Sequence, residues 1–124
     1  MSSAQIHSVF PRELSTLPPA VRRIDVREPS EFEGKLGHLP RSELVPLATL
    51  PSAAGAWPRE TPLLLICRSG MRSMKAARML AEQGFTSLSN LEGGMLAVHE
   101  AGLEVEGSGA SEQVSTSQRQ GTSS

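Results

Sequence analysis

Apolar residues fall in short runs along the chain, and two spacings alternate between turn signals. VRRIDVR (21–27) carries Val21, Ile24 and Val26 in a β-branched stretch and predicts a strand. Pro29 and Ser30 then open a short turn of helix through Glu31 and Phe32. SELVPL (42–47) predicts a brief strand ended by Pro46. In LATLPSAAG (47–55), Pro51 is expected to interrupt any helix. PLLLIC (62–67) is the clearest strand, with five consecutive non-polar positions after Pro62. A run without alternation predicts a central strand covered on both faces.

Helical spacing follows. Ser73 is expected to cap MKAARMLAEQ (74–83), with Gly84 ending that helix. Met74, Ala77, Leu80 and Ala81 share one face of it. TSLSNL (86–91) predicts another strand, and GGMLAVHEAG (93–102) a helix that stops at Gly102. Strand–helix alternation with short connections implies an α/β domain around a mainly parallel sheet. Such sheets bind ligands at the carboxyl ends of their strands. Cys67 stands at that end of the most apolar strand.

Length and composition bound the rest. A chain of 124 residues fits one domain and shows no internal repeat. GSGASEQVSTSQRQGTSS (107–124) has too little apolar surface to offset its ordering entropy, so residues 4–106 are expected to fold and 107–124 to form a disordered tail. A net charge of −1 gives no general pull towards nucleic acid or an anionic membrane. No apolar stretch nears the ~20 residues of a membrane span. MSSAQIHSVF does not read as a secretion signal. One cysteine cannot form an intrachain disulfide, which fits a reducing compartment and makes the cytoplasm the expected location.

CRSGMRS (67–73) carries the candidate chemistry. The turn precedes a helix, so its backbone N–H groups can converge on a negative centre at the positive end of the helix dipole. Gly70 frees the loop to curl, and Arg68 and Arg72 add two permanent cations. Lowering a thiol pKa by about two units takes roughly 2.7 kcal/mol of differential interaction and makes the thiolate the majority species. From Thr61 to Ala81 there is no Asp or Glu, while Arg68, Arg72, Lys75 and Arg78 all occur. That asymmetry points to an anionic substrate. The alternative is a packed core thiol beside solvated arginines. It is weakened because Cys67 closes the strand at a turn, where incomplete burial is expected.

IDVREPSEF (24–32), LGHLP (36–40), LLLICRSGMRS (63–73), ARMLAEQGF and LEGGMLAVHEAG occur in an order that resembles the rhodanese (sulfurtransferase) family over residues 19–106. The resemblance implies a doubly wound α/β fold with a central five-stranded parallel sheet. It also implies a ping-pong sulfur transfer through a Cys67 persulfide, needing no cofactor. The donor would be a small anion, thiosulfate or a persulfide. The acceptor would be cyanide or a thiol such as glutathione or thioredoxin. No nucleic acid or membrane partner is implied, and a monomer or weak dimer is expected.

Carried onto this chain, the amides of Arg68, Ser69, Gly70, Met71 and Arg72 would cradle the persulfide. Arg68 and Arg72 would bind the donor dianion, with Arg72 also bracing the loop. Ser73 would cap the helix and turn its hydroxyl to the loop. Asp25, Arg27 and Glu31 would form a supporting framework of ion pairs, and His38 a hydrogen bond fixing the turn after it, with proton transfer as its lesser role. Gly93 and Gly94 would make a tight turn near the loop. His7 and His99 have no carboxylate or cysteine at metal-ligand spacing, so no metal is expected. Trp57 is assigned no role, and the five methionines are assigned to packing.

Two departures from the resemblance matter. Arg41-Ser42 stands where relatives commonly carry a small pair such as Gly-Ala, and a turn requiring positive φ would suit Arg41 badly. Val98 stands near a frequent aromatic, which would thin one pocket wall. Two other functions remain open. One is a persulfide relay or binding module. The other is a phosphatase or arsenate reductase on the same fold, against which stand the four residues between Cys67 and Arg72 and the lack of an acid in the loop.

Overall fold

The computed structural model describes residues 5–107, so Ala4 and all of the expected tail beyond Gly107 lie outside the described residues. The strands are β1 (Ile6–Val9), β2 (Arg22–Asp25), β3 (Ser42–Leu44), β4 (Leu63–Ile66) and β5 (Leu88–Leu91). The helices are α1 (Pro29–Phe32), α2 (Leu50–Ala54), α3 (Met71–Glu82) and α4 (Gly94–Glu100). Short 3-10 segments at Pro11–Thr16 and Leu47–Thr49 complete the order.

All five strands run parallel in the order β1-β5-β4-β2-β3. From β2 the chain steps outward to β3, then returns to the other side of β2 with β4. The reversal opens a crevice between the carboxyl ends of β2 and β4, where a doubly wound sheet places its ligand. Asp25 ends one of these strands and Cys67 follows the other.

The unalternating β4 is explained by two cores. Leu63, Leu65 and Cys67 face a cluster with Leu50 and Ala54 of α2, Ala77 and Leu80 of α3, and Phe85. Leu64 and Ile66 face the opposite cluster with Leu14, Leu39, Leu91, and Met95 and Val98 of α4. β2 differs, because only one of its faces is apolar. Ile24 and Val26 enter the first core, while Arg23, Asp25 and Arg27 alternate with them towards the other face.

Several expectations change. β1 was not legible beforehand, because IHSV is short and lies at the sheet edge. Pro51 sits in the first turn of α2 and so starts that helix, since proline costs nothing where the N–H has no intrahelical partner. Gly70 occupies the cap position of α3 with φ 104°, so the helix begins three residues before Met74 and Ser73 lies inside its first turn. Val98 is fully buried in the second core and is no pocket wall. Arg41 does adopt positive φ, at 65°, alone among described non-glycine residues. The turn is closed by Ser42, whose amide and hydroxyl both donate to the Leu39 carbonyl, at 3.2 and 2.7 Å. Among the described residues, no helix is long and apolar enough to cross a membrane.

Leu65 is fully buried on β4 against the first core. Leu65→Ala is expected to destabilise the fold by about 2–5 kcal/mol, measured by urea unfolding.

Candidate active site

The site begins where β4 ends. After Cys67 the chain turns through Arg68, Ser69 and Gly70 into α3, and the left-handed Gly70 lets the amide of that residue turn back towards the thiol. Gly70 N donates to Cys67 Sγ at 3.0 Å. From the first turn of α3, the buried Ser73 brings its hydroxyl within 3.3 Å of the same sulfur. That hydroxyl also lies 2.5 Å from Asn90 Oδ1 on β5, so its single proton serves one acceptor at a time. Asn90 Nδ2 in turn donates to the Gly70 carbonyl at 3.2 Å. Cysteine, loop, helix and neighbouring strand are thus closed into one ring of hydrogen bonds.

Cys67 is buried, with 1% of its surface exposed, contrary to the expectation of an open strand end. The physical reason is that its side chain packs with the first core, while the Gly93-Gly94 turn covers its backbone. α4 begins directly over the end of β4, where Met95 N donates to Cys67 O at 2.9 Å and Leu96 N to Arg68 O at 3.0 Å. Gly94, at φ 61°, passes so close that a Cβ there would lie 2.4 Å from Arg68 O and 2.5 Å from Cys67 O. The tight turn is therefore a lid over the strand end and not a neighbour of the loop alone.

Burial without polar partners would hold the thiol protonated. Here burial does push the Cys67 pKa up. The Ser73 hydroxyl and the backbone N–H groups of Ser73, Gly70 and Ser69 together pull it further down, leaving it below an ordinary thiol. The Cys67 side chain thus packs with the first core while its sulfur also meets hydrogen-bond donors. Of the five amides expected to form the cradle, those of Ser69 and Gly70 act on the sulfur. Ser73 contributes where Arg68, Met71 and Arg72 were expected.

The supporting charges sort into two units. Asp25 accepts from Arg27 N, Nε and Nη2 at 3.1, 2.9 and 2.8 Å, and both side chains are buried. Arg27 Nη2 also donates to the Gly37 carbonyl at 2.8 Å, joining the end of β2 to the 34–40 loop. Glu31 forms a two-pronged pair with Arg72, at 2.9 and 2.8 Å. Those hydrogen bonds, with lesser help from the Glu28 amide and nearby cations, hold the Glu31 carboxyl at about 2. The Arg72 guanidinium is thereby committed to bracing α3 against α1.

His38 fixes the turn before it, since Nδ1 lies 2.9 Å from the Phe32 carbonyl and the ring stacks on Phe32 at 3.7 Å. Its backbone pairs with Glu106, bringing the end of the described chain back to this loop.

Arg68 is exposed and belongs to no ion pair among the described residues. It lines a cavity of about 280 Å³ with Arg27, Glu31, Lys35 and Leu36. Lys35 and Asn90 were missed from sequence. Asn90 had a signal, because it occupies the position two residues after the buried Leu88, where alternation places an apolar side chain. Lys35 had none, because only the folded 34–40 loop carries it to this cavity.

Comparison with known proteins agrees with this fold. The model of the Rhodanese-like domain family matches residues 11–101. An uncharacterised Bacillus subtilis protein, YqhL, is 41% identical over 71 residues, covering 57% of this chain and 55% of its own length. The thiosulfate sulfurtransferase GlpE of Shewanella oneidensis is 33% identical over 101 residues, covering 82% of this chain and 98% of its own. A crystal structure of a rhodanese-like domain protein from Staphylococcus aureus superposes with a TM-score of 0.67 at 29% identity, covering 82% of this chain and 99% of that one.

The donors around Sγ set the pH response. A depressed thiol pKa keeps the thiolate populated below the pH at which free cysteine loses it. The pH profile of iodoacetamide alkylation is therefore expected to have a lower midpoint than free cysteine, and Ser73→Ala is expected to move it upward. Glu31 gives a second test. Its folded pKa of about 2 lies below its ordinary 4.5, so its pair stabilises fully above about pH 4.5 and is lost as pH falls through 2. Solvent screening limits the effect to about 1 kcal/mol or less. Acid unfolding curves of wild type and Glu31→Gln should converge as the pH drops through that window.

Proposed function

The chain belongs to the rhodanese-like domain family, and from that premise we propose that it is a sulfurtransferase whose Cys67 carries the transferred sulfur as a persulfide. The observation that carries this is the convergence of the Gly70 amide and the Ser73 hydroxyl on one thiol at the carboxyl edge of the sheet. The name of the Shewanella relative, a thiosulfate sulfurtransferase matched over 98% of its length, supports the reaction class.

In the first half-reaction the Cys67 thiolate attacks the outer sulfur of thiosulfate. An S–S bond forms to Cys67 as the bond to the inner sulfur breaks, and sulfite leaves with the bonding pair. In the second, cyanide or an acceptor thiolate attacks the terminal sulfur. Thiocyanate or a new persulfide departs, and the Cys67 thiolate returns. Charge is conserved in each half, so neither cofactor nor general acid is required. The loop amides and Ser73 hold the anion between the halves. Arg68 and Lys35 attract the donor dianion to the cavity beside the loop, a role that Arg72 cannot share while Glu31 holds its guanidinium.

That same pairing opposes phosphatase chemistry, in which the loop arginine must hold the phosphoryl oxygens. A protein persulfide as the donor is favoured by Met71, which is 79% exposed beside the exposed Arg68 and Ser69. A thiol such as glutathione or thioredoxin is the proposed acceptor.

Incubation with thiosulfate is expected to raise the intact mass by one sulfur, about 32 Da, which cyanide removes as thiocyanate. Absence of the gain in the wild type, its presence in Cys67→Ala, or faster turnover of a phosphoaryl ester than of thiosulfate would overturn the proposal.

A further inference from the structure

At the amino-terminal end of the sheet, away from Cys67, lies a cavity of about 340 Å³. Its wall includes Arg12, Arg23 and Arg41, with Leu14, Leu39 and Leu103 among its apolar members. Glu104 is the only carboxylate in that wall, against three guanidinium groups. Among the described residues none of these three arginines forms an ion pair, whereas Arg22, Arg27 and Arg72 each hold a carboxylate.

Arg23 is the informative member. It is only 8% exposed, and a buried cation is ordinarily held by a carboxylate. Arg23 instead donates to the carbonyls of Leu14, at 2.9 Å, and Pro40, at 3.5 Å. Its remaining guanidinium hydrogens have no protein acceptor among those contacts. Burial lowers its pKa, and the nearby charge of Arg41 lowers it further, so two like charges are held close together.

Arg41 is there at a conformational cost. Its φ of 65° lies in the region that favours glycine, so a side chain there is strained. The turn that holds it, closed by Ser42 on the Leu39 carbonyl, needs no arginine side chain. Glycine there would remove both the strain and the repulsion of Arg23. A partner absent from the protein's own ion pairs accounts for all three features: an anion.

We infer that the cavity between the Pro11–Thr16 segment and the Leu39–Arg41 turn is a second ligand site, which binds a small molecule carrying an oxoanion on an apolar body. Arg23 and Arg41 clamp the oxygens from two sides, Arg12 contributes at the rim, and the three leucines receive the apolar portion. The cavity adjoins neither the loop nor the Glu31–Arg72 brace, so the site is separate from sulfur transfer and serves binding or regulation.

The test is an NMR titration with three probes: inorganic phosphate, phenyl phosphate and benzoate. Saturable shifts at the amides of Arg12, Arg23 and Arg41 are expected. Phenyl phosphate should bind more tightly than phosphate, and Arg41→Gly should weaken it about tenfold through loss of a charge-assisted contact. Benzoate reads whether the oxoanion is a carboxylate or a phosphate, and tighter binding of either apolar probe than of phosphate supports the site. In anion-free buffer Arg41→Gly should melt no lower than the wild type and load sulfur on Cys67 unchanged. No saturable shift, equal midpoints in wild type and Arg41→Gly, a midpoint that moves with Arg68→Ala instead, or a clear loss of stability in Arg41→Gly would each overturn the inference.

Discussion

The proposed sulfur transfer requires one sulfur atom to be both buried and anionic, and the structure around Cys67 bears on that demand. Taking a thiolate out of water is unfavourable by itself. The compensation comes from donors whose positions are fixed before any reaction: the Gly70 amide, the Ser73 hydroxyl and the start of α3. Each depends on the others. Gly70 can turn its amide inward because it tolerates φ 104°. Ser73 is within reach because that turn starts the helix three residues early. Asn90 ties the Gly70 carbonyl and the Ser73 hydroxyl to the adjacent strand.

Around this ring the charged residues act as mechanical members. The buried Asp25–Arg27 pair contributes little net free energy compared with a well-packed apolar pair, but losing one partner would strand a buried charge. Its effect is geometric, since it fixes the end of β2 and the Gly37 loop against each other. Glu31 and Arg72 do the same between α1 and α3. An arginine bound by two hydrogen bonds to a carboxylate cannot also serve as the main oxyanion clamp. In the proposed reaction the electrostatic attraction for a substrate therefore passes to Arg68 and Lys35, whose charges are free of such pairs among the described residues.

The two ends of the sheet contrast. At the carboxyl end Arg27 and Arg72 are matched by carboxylates, and the unmatched Arg68 and Lys35 adjoin the proposed reaction centre. At the amino end three arginines share a cavity with one carboxylate, and one of them is buried. A protein selected for stability alone would place glycine at residue 41 and relieve both strain and repulsion. Retaining arginine in a left-handed turn opposes stability in a way that a ligand offsets.

The sequence by itself determined the sheet's inner strands, the α/β alternation and the place of Cys67, because these follow from local patterns: an unbroken apolar run, helical spacing and a glycine at a turn. Order in the family's motifs pointed to the five-stranded fold, although β1 left no local trace of its own. The partners of each charge were decided only by tertiary structure. Arg72 could have faced substrate or Glu31, 41 positions away, and its spacing in the loop is the same in either case. Burial of the thiol was likewise invisible, since the core that receives its side chain and the Gly93-Gly94 turn over its backbone come from distant segments. Asn90 and Lys35 reach the site from separate segments. Local pattern fixes which way a residue points from its own element, whereas its partner depends on how distant elements pack.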